Sequence, residues 1–366
     1  MSAEAYLNRI GTAVPAHDIH APFVAFARTL LPDARTRLVL DRMAERAGIE
    51  RRWSLLRPGN LAAGEVDADG FYGRGRFPGT AARMALYERG APDLAVRAVG
   101  DLGLDAAAMA RITHLVIASC TGFSAPGLDL QLVARLGLRP GVARSLIGFM
   151  GCAAAVPALR MARDAVRADP SARVLVVTLE LCTLHFQETA DLETVLSFLL
   201  FGDGAAAALV SADPTGFALG DFRSTLIPDS AGLITWHIGD GGFLMHLSGQ
   251  VPGRIAAALR DDLTRADPAG ILRGEGPQAV DLWAVHAGGR TVLDAVEIGL
   301  RLGPDALGAS RAVLRGHGNM SSATVMFVLR RLLDGPAADR AKGARGLAMA
   351  FGPGMAAESF RFHRVG

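Results

Sequence analysis

Residues 145–155 read SLIGFMGCAAA. An apolar, strand-like run meets Gly151, then Cys152, then three alanines that open a helix. This unit, a strand turning through glycine into a helix with a reactive side chain at the corner, recurs along the chain and sets the fold class. Upstream, 114–119 (HLVIAS) reads as a buried strand and 127–136 as a helix. Downstream, 173–179 (RVLVVTL) and 205–211 (AAAALVS) are two further buried strands. Between them, 157–168 has helical spacing, with Leu159, Met161, Ala162 and Val166 on one face. In the second half, 281–286 (DLWAVH) is a strand followed by a Gly-Gly turn and a helix over 291–300. An amphipathic helix over 322–333 and a strand over 347–351 (LAMAF), ending in Gly352-Pro353-Gly354, complete the pattern. Strands alternating with helices argue for an α/β fold built of βαβ units.

The Pro and Gly of 211–216 (SADPTG) follow a strand and mark a boundary. They divide the chain into halves 1–213 and 214–366. Both halves repeat the same sketch, as a duplication would, although no identity between them is strong enough to prove one. Segment 254–276, with alternating Asp and Arg, reads as a solvated helix and loop, and 335–346 as a surface loop.

With 366 residues, half of them hydrophobic, and a mean hydropathy of +0.27, a large core and a sizeable subunit interface are expected. Lys and Arg number 38 against 36 Asp and Glu, which gives no reason to expect a nucleic-acid partner. The three cysteines, Cys120, Cys152 and Cys182, are far apart and without CxxC spacing, so neither a disulfide framework nor a zinc site is expected. No apolar run approaches the ~20 residues of a membrane span. The N-terminus has early charges at Glu4 and Arg9 and no apolar core of a signal peptide. A soluble, cytoplasmic protein is expected.

Three residues carry candidate chemistry. Cys152 at a helix start sits where the macrodipole favours thiolate, although a buried structural cysteine is the competing reading. His286 ends a buried strand before Ala287-Gly288-Gly289, a turn that leaves its ring facing open space, and a thiolate needs such a neighbour. Asn319 lies in 316–324 (GHGNMSSAT), where its amide can donate to a developing oxyanion or simply serve a turn. His317 reads as structural.

The strings GFMGCAAA, WAVHAGG, GHGNMSSATV and FGPGMAAE resemble the signature blocks of the chalcone-synthase-like (type III) polyketide synthases. ASCTGFSAPGLDLQL, VLVVTLELCTLHF and LFGDGAAAA extend the resemblance over nearly the whole chain. The resemblance implies a thiolase fold, a duplicated αβαβα layered sandwich, assembled as a homodimer and using no cofactor beyond its CoA thioester substrates. It implies that Cys152 carries the acyl chain, paired as thiolate with His286. His286 and Asn319 would stabilise the enolate formed when malonyl-CoA loses CO2. Phe201 matches the gatekeeper phenylalanine between CoA tunnel and cavity, while Met245 stands where a second gatekeeper is phenylalanine. Cys120, Cys182 and His185 replace cavity-lining threonines, Ala125 replaces a methionine that reaches across the dimer, and Ala287 replaces a proline. Ser321 also falls among the implied substrate-binding residues. Arg42, Arg46, Arg51 and Arg52 occupy the region that supplies cations for CoA phosphates, and Gly318 and Ala323 would approach the pantetheine arm. The pattern is closest to bacterial members that use fatty acyl starters to make alkylpyrones or alkylresorcinols. An initiating ketoacyl-ACP synthase shares the Cys–His–Asn set, and a papain-like hydrolase shares its order; the FGPG and LFGDGAA blocks count against the hydrolase. An idle paralogue acting only as a dimer partner is a third alternative.

Overall fold

The computed structural model describes residues 3–335 and 342–365. Half of the loop expected over 335–346, residues 336–341, lies outside the described residues, and its last two residues, Arg345 and Gly346, belong to a strand. The strands of the first half are β1 (Tyr6–Ala13), β2 (His17–Asp18), β3 (Trp53–Ser54), β4 (His114–Ala118), β5 (Ala143–Ile147), β6 (Val174–Leu181) and β7 (Asp203–Ser211). Those of the second are β8 (Gly216–Leu226), β9 (Ile234–Gly239), β10 (Gly242–Leu247), β11 (Leu282–Val285), β12 (Arg345–Gly352) and β13 (Ala356–Val365).

Nine strands form one mixed sheet in the order β11-β12-β13-β8-β1-β7-β6-β4-β5. Outward from the antiparallel β1–β8 pair, the same pattern runs both ways: two antiparallel steps, then a parallel one. On one side these are β1-β7-β6-β4, on the other β8-β13-β12-β11, and β5 extends the first series alone. Sequence pattern explains which strands lie innermost. Val174–Leu181 (VLVVTLEL) and Asp203–Ser211 (DGAAAALVS) are buried at every position, as strands covered on both faces must be.

Two helices occupy the middle layer. Ala155–Ala168 buries Val156, Leu159, Ala162 and Val166, and Thr324–Leu333 is buried on nearly all sides. A helix apolar all round belongs inside a protein. Both pack into one core with residues from both halves of the sheet. Thr80–Gly100 and Leu128–Leu136 cover the outer face of the first half, and Val251–Arg265, Arg290–Leu300 and Gly308–His317 that of the second. The layers therefore run helix, half-sheet, helix, half-sheet, helix, the thiolase-type sandwich, with the two half-sheets joined at the β1–β8 pair.

The structure changes several details. Met161 is 40% exposed and lies off the buried face of its helix. The segment expected to be solvated over 254–276 instead buries Ile255, Leu259, Ile271 and Leu272. Thr80–Gly100, a helix the sequence reading passed over, contains Gly90 and Pro92. Gly90 lets Leu55 pack against the helix, since a Cβ there would lie 2.3 Å from the leucine side chain.

Candidate active site

Cys152 sits in the 3-10 turn Gly151–Ala153, between β5 and the helix Ala155–Ala168. Gly151 has φ +55, and a Cβ on it would fall 2.5 Å from Pro353 Cδ. Only glycine fits both the conformation and the contact. The FGPG block therefore packs directly on the nucleophile turn. Burial pushes the Cys152 thiol up to about 11, outweighing the Ser321 hydroxyl and the Asn319 amide, which pull it down. That burial opposes the helix start, which by itself favours a thiolate.

His286 follows β11 directly, its backbone N–H donating to the Met349 carbonyl of β12 at 2.8 Å. The ring is 2% exposed, and neither nitrogen has a hydrogen-bond partner among the described residues. Burial lowers its pKa to about 3. Burial thus drives the cysteine and the histidine toward a neutral thiol and a neutral imidazole, each the cheaper form in a low-dielectric wall.

Asn319 is held by the LFGDG segment. Its N–H donates to Leu200 O at 2.8 Å and its carbonyl accepts from Gly202 N–H at 3.0 Å, so Phe201 and Asn319 lie side by side. This close approach requires Gly318, which has φ +67 and whose Cβ would lie 2.7 Å from Leu200 O. The Asn319 amide nitrogen donates to the Gly288 carbonyl at 3.1 Å, and its oxygen accepts from Ser321 N–H at 2.8 Å. Both amide atoms lie 3.9 Å from Cys152 Sγ. Gly288 is in the turn after His286, so one amide ties the histidine turn, the cysteine and the asparagine loop together. Ser321 holds φ +46, an uncommon conformation for serine that keeps it beside the thiol.

These residues line one cavity of about 1010 Å3. Cys120, Cys152, Cys182, Phe201, Met245, His286, Asn319 and Ser321 all face it. Apolar side chains form most of the rest, among them Leu196, Phe198, Leu200, Ile234 and Leu247. Of the four arginines, only Arg46 lines this cavity. Arg42 and Arg51 are exposed but stand off it. Arg52 is a correction. It is 1% exposed, donates to the carbonyls of Phe198 and Phe201 at 2.8 Å each and to His20 Nδ1 at 3.0 Å, and stacks over Phe23. So sealed, it supports the Phe201 wall and cannot meet a phosphate in solvent. Gly318 and Ala323 do not line the cavity either: the first is spent on the Leu200 contact and the second is fully buried in the core. His185 is likewise buried in the wall, outside the lining.

Three lining or supporting residues were missed from sequence. Trp236 faces the cavity from β9 and donates from Nε1 to Cys120 O at 2.9 Å. Arg290 lines the mouth beside Arg46, donating to the Arg46 carbonyl at 3.2 Å. Glu180 is fully buried in β6 behind the cavity. It accepts from Cys120 N–H at 2.9 Å, Thr121 Oγ1 at 2.8 Å and Ser322 Oγ at 2.6 Å, while burial raises its pKa to about 7. A carboxylate in the otherwise apolar string VLVVTLEL was the available signal, because such a group is seldom buried without partners. Among the described residues no cluster of three or more His, Cys, Asp and Glu is placed to hold a metal, and no helix is long and apolar enough to cross a membrane.

Known proteins share this fold. Over its whole length the chain is similar to PKS-I from the brown alga Ectocarpus siliculosus, with 30% identity, 99% of that chain covered and a TM-score of 0.85. The C-terminal type III polyketide synthase domain of Steely1, a type I/III hybrid from Dictyostelium, matches 99% of this chain and 100% of its own at 24% identity, TM-score 0.85. The I375F mutant of CsyB matches over the same shares at 22% identity and TM-score 0.85. The last two likenesses concern the fold alone. Residues 2–214 match the N-terminal domain of the chalcone and stilbene synthases and residues 220–366 the C-terminal domain. With nearly every residue so matched, the chain belongs to the chalcone and stilbene synthase family, the type III polyketide synthases.

Proposed function

We propose that this enzyme condenses malonyl-CoA repeatedly onto an acyl-CoA starter bound as a thioester on Cys152, and that the starter is a fatty acyl chain. The observation that carries the proposal is the convergence of Cys152, His286 and Asn319 on the wall of one large apolar cavity. In loading, the Cys152 proton passes to the His286 imidazole as sulfur adds to the starter carbonyl. The tetrahedral adduct expels coenzyme A, whose thiolate takes the proton back from the imidazolium. Two neutral groups lining the same cavity make this exchange self-contained.

In extension, the bond between the malonyl carboxylate and C2 breaks and CO2 leaves. The electron pair becomes an enolate whose oxygen accepts hydrogen bonds from His286 and Asn319, donors aimed at charge that exists only in the transition state and intermediate. The enolate carbon attacks the Cys152 thioester and the thiolate departs, giving a β-ketoacyl-CoA two carbons longer. Return of that chain to Cys152 permits the next round, and cyclisation to a pyrone, resorcinol or phloroglucinol-type product ends it. The Phe201 ring beside Asn319 supports decarboxylation, since an apolar wall disfavours a carboxylate and tolerates CO2.

Arg46 and Arg290 at the mouth are the cations best placed for CoA phosphates; Arg42 and Arg51, exposed nearby, extend the same basic surface. The apolar lining supports an aliphatic starter, because each buried methylene contributes about 0.8 kcal/mol. We read the chain as two thiolase-like halves, 1–213 and 214–366, and the molecule as a cytoplasmic homodimer. The dimer reading rests on edge strand β5. It is parallel yet half exposed, and Leu130, Leu146 and Met150 around it are each more than a third exposed.

The test is incubation with a panel of acyl-CoAs and malonyl-CoA, without carrier protein, and mass spectrometry of products. Pyrones or resorcinols formed best from medium or long acyl-CoAs are expected. Preference for p-coumaroyl-, acetyl- or malonyl-CoA as starter overturns the fatty acyl reading. No condensation without carrier protein overturns the reaction.

A further inference from the structure

Phe201 and Asn319 are joined behind the cavity wall. The Asn319 backbone bonds to Leu200 O and Gly202 N–H, which leaves the Phe201 carbonyl between them to another partner. Arg52 is that partner. Its Nη1 donates to Phe201 O and to Phe198 O at 2.8 Å each, so both hydrogens of that nitrogen are used. Bonds from an ionised donor are roughly twice as strong as neutral ones. The same side chain also underlies Asn319. A Cβ on Gly318 would fall 2.8 Å from Arg52 Cγ and 3.1 Å from Cδ, so the Arg52 stem lies directly against the Gly318 backbone.

Arg52 is itself held on its other sides. Nε donates to His20 Nδ1 at 3.0 Å, and the guanidinium carbon lies 4.5 Å from the Phe23 ring centroid. Its backbone N–H donates to Asp18 Oδ1 at 3.2 Å, and its carbonyl accepts from Ile19 N–H at 2.7 Å. The residues around it grip the Asn319 loop. Glu50 N–H and Arg51 N–H donate to Arg315 O at 2.8 and 3.1 Å, and Trp53 Nε1 donates to Gly316 O at 3.0 Å. Segment 50–53 thus runs as a splint along 315–319, and Arg52 is the member of it that crosses to Phe201. The loading residues are held by other means. The Cys152 turn packs on Pro353, and His286 hangs from Met349 O. Among the described residues no hydrogen bond joins Arg52 to Cys152 or His286.

We propose that Arg52 is a positioning residue for the extension half of the reaction: it sets the Phe201 ring and the Asn319 amide in register with each other, and it leaves starter loading alone. The inference deepens the condensation reading above and rests on it. Sealed behind the wall at 1% exposure, Arg52 touches no substrate. Decarboxylation needs the malonyl carboxylate against the apolar ring while the thioester oxygen meets the amide. A shift of one group relative to the other is therefore costly even when both are intact, and a misplacement of about 1 Å can lower a rate ~100-fold. Loading relies on Cys152 and His286, which Arg52 does not hold.

The test compares wild type with Arg52→Met, which keeps a stem under Gly318 and removes every donor, and Arg52→Lys, which returns a charged donor toward the two carbonyls. Malonyl-CoA decarboxylation is followed by acetyl-CoA release, and starter loading on Cys152 by intact-protein mass. For Arg52→Met we expect kcat for decarboxylation to fall by about tenfold or more, with the KM for malonyl-CoA and the loading rate each within about threefold of wild type. Arg52→Lys should recover part of the lost kcat. A double variant separates positioning from general loosening. On an Asn319→Ala background no amide is left to place, so adding Arg52→Met should lower decarboxylation by less than about threefold further. Full additivity of the two losses overturns the proposal, as does equal loss in loading and decarboxylation, or unchanged decarboxylation in a folded Arg52→Met. Failure of both single variants to fold also overturns it, because Arg52 would then be a core requirement only. Absence of malonyl-CoA decarboxylation by the wild-type enzyme would instead overturn the reaction on which the proposal rests.

Discussion

Replacing Asn319 separates the two half-reactions. Its amide nitrogen carries two hydrogens. One is committed to Gly288 O at 3.1 Å, and the nitrogen lies 3.9 Å from Cys152 Sγ, leaving the other hydrogen for a carbonyl held at the sulfur. Asn319→Ala removes that donor from the enolate oxygen. Loss of one such donor typically costs ~100- to 1,000-fold, about 2.7–4 kcal/mol of barrier. A second effect travels with it, since Ser321 N–H loses the acceptor it meets at 2.8 Å. An orphaned buried N–H costs about 1–3 kcal/mol of stability. Asn319→Asp keeps the Ser321 acceptor and supplies no donor, but sets a carboxylate oxygen against Gly288 O in a buried position. Both variants should therefore lose malonyl-CoA decarboxylation by ~100-fold or more, and both should melt earlier than wild type. Starter loading on Cys152 should fall far less in either. Decarboxylation is followed by acetyl-CoA release and loading by intact-protein mass spectrometry. Equal losses in both half-reactions, or a decarboxylation loss below tenfold, would refute the division of labour.

Other outcomes follow from the same geometry. Cys152→Ala should abolish loading and product formation with the fold intact, and iodoacetamide should label Cys152 ahead of Cys120 and Cys182, which are 2% and 4% exposed; full condensation in the variant would end the assignment. Because burial holds the Cys152 thiol up near about 11 and the His286 ring down near about 3, starter loading should show no inflection from either group between those limits. A midpoint near neutrality that vanishes in His286→Ala would show an ion pair at rest. Arg46→Ala should raise the KM for malonyl-CoA with a salt-dependent penalty, whereas Arg52→Ala should lower stability through the carbonyls it leaves unpaired. A pure KM effect from Arg52→Ala would count against its sealed position. Glu180, raised from 4.5 to about 7, stabilises the fold most below the lower value, and that contribution is lost as pH rises through the upper one. Relative to Glu180→Gln, the wild type should thus lose about 3 kcal/mol of unfolding free energy across that window; a difference independent of pH, measured by denaturant titration, would contradict the buried carboxylate.

What the sequence disclosed and what it withheld divide along the length scale of the cause. Cys152, His286 and Asn319 were legible because each is set by neighbours a few residues away: a strand, a glycine turn, a helix start. Gly151 and Gly318 are required by contacts with Pro353 and Leu200, but their role in a turn is visible in the local string. Arg52 was misread because RMAERAGIERRW offers four arginines of the same type, and nothing nearby tells them apart. The carbonyls of Phe198 and Phe201, about 150 positions on, select Arg52 for burial and leave Arg51 in solvent. His185 was placed in the cavity for a similar reason. Its direction is decided by Phe243 N–H, 58 positions later, in a ribbon the sequence reading did not detect as strands. β8 and β13 escaped notice because charged residues interrupt them at FRSTL and FRFHRV; they pair with one another across 130 residues, and that pairing buries Phe217 and Phe360. A residue whose partner is local declares its role in sequence. One whose partner arrives only when the chain has folded shows its chemistry there and not its direction, and the walls of this cavity are made mostly of the second kind.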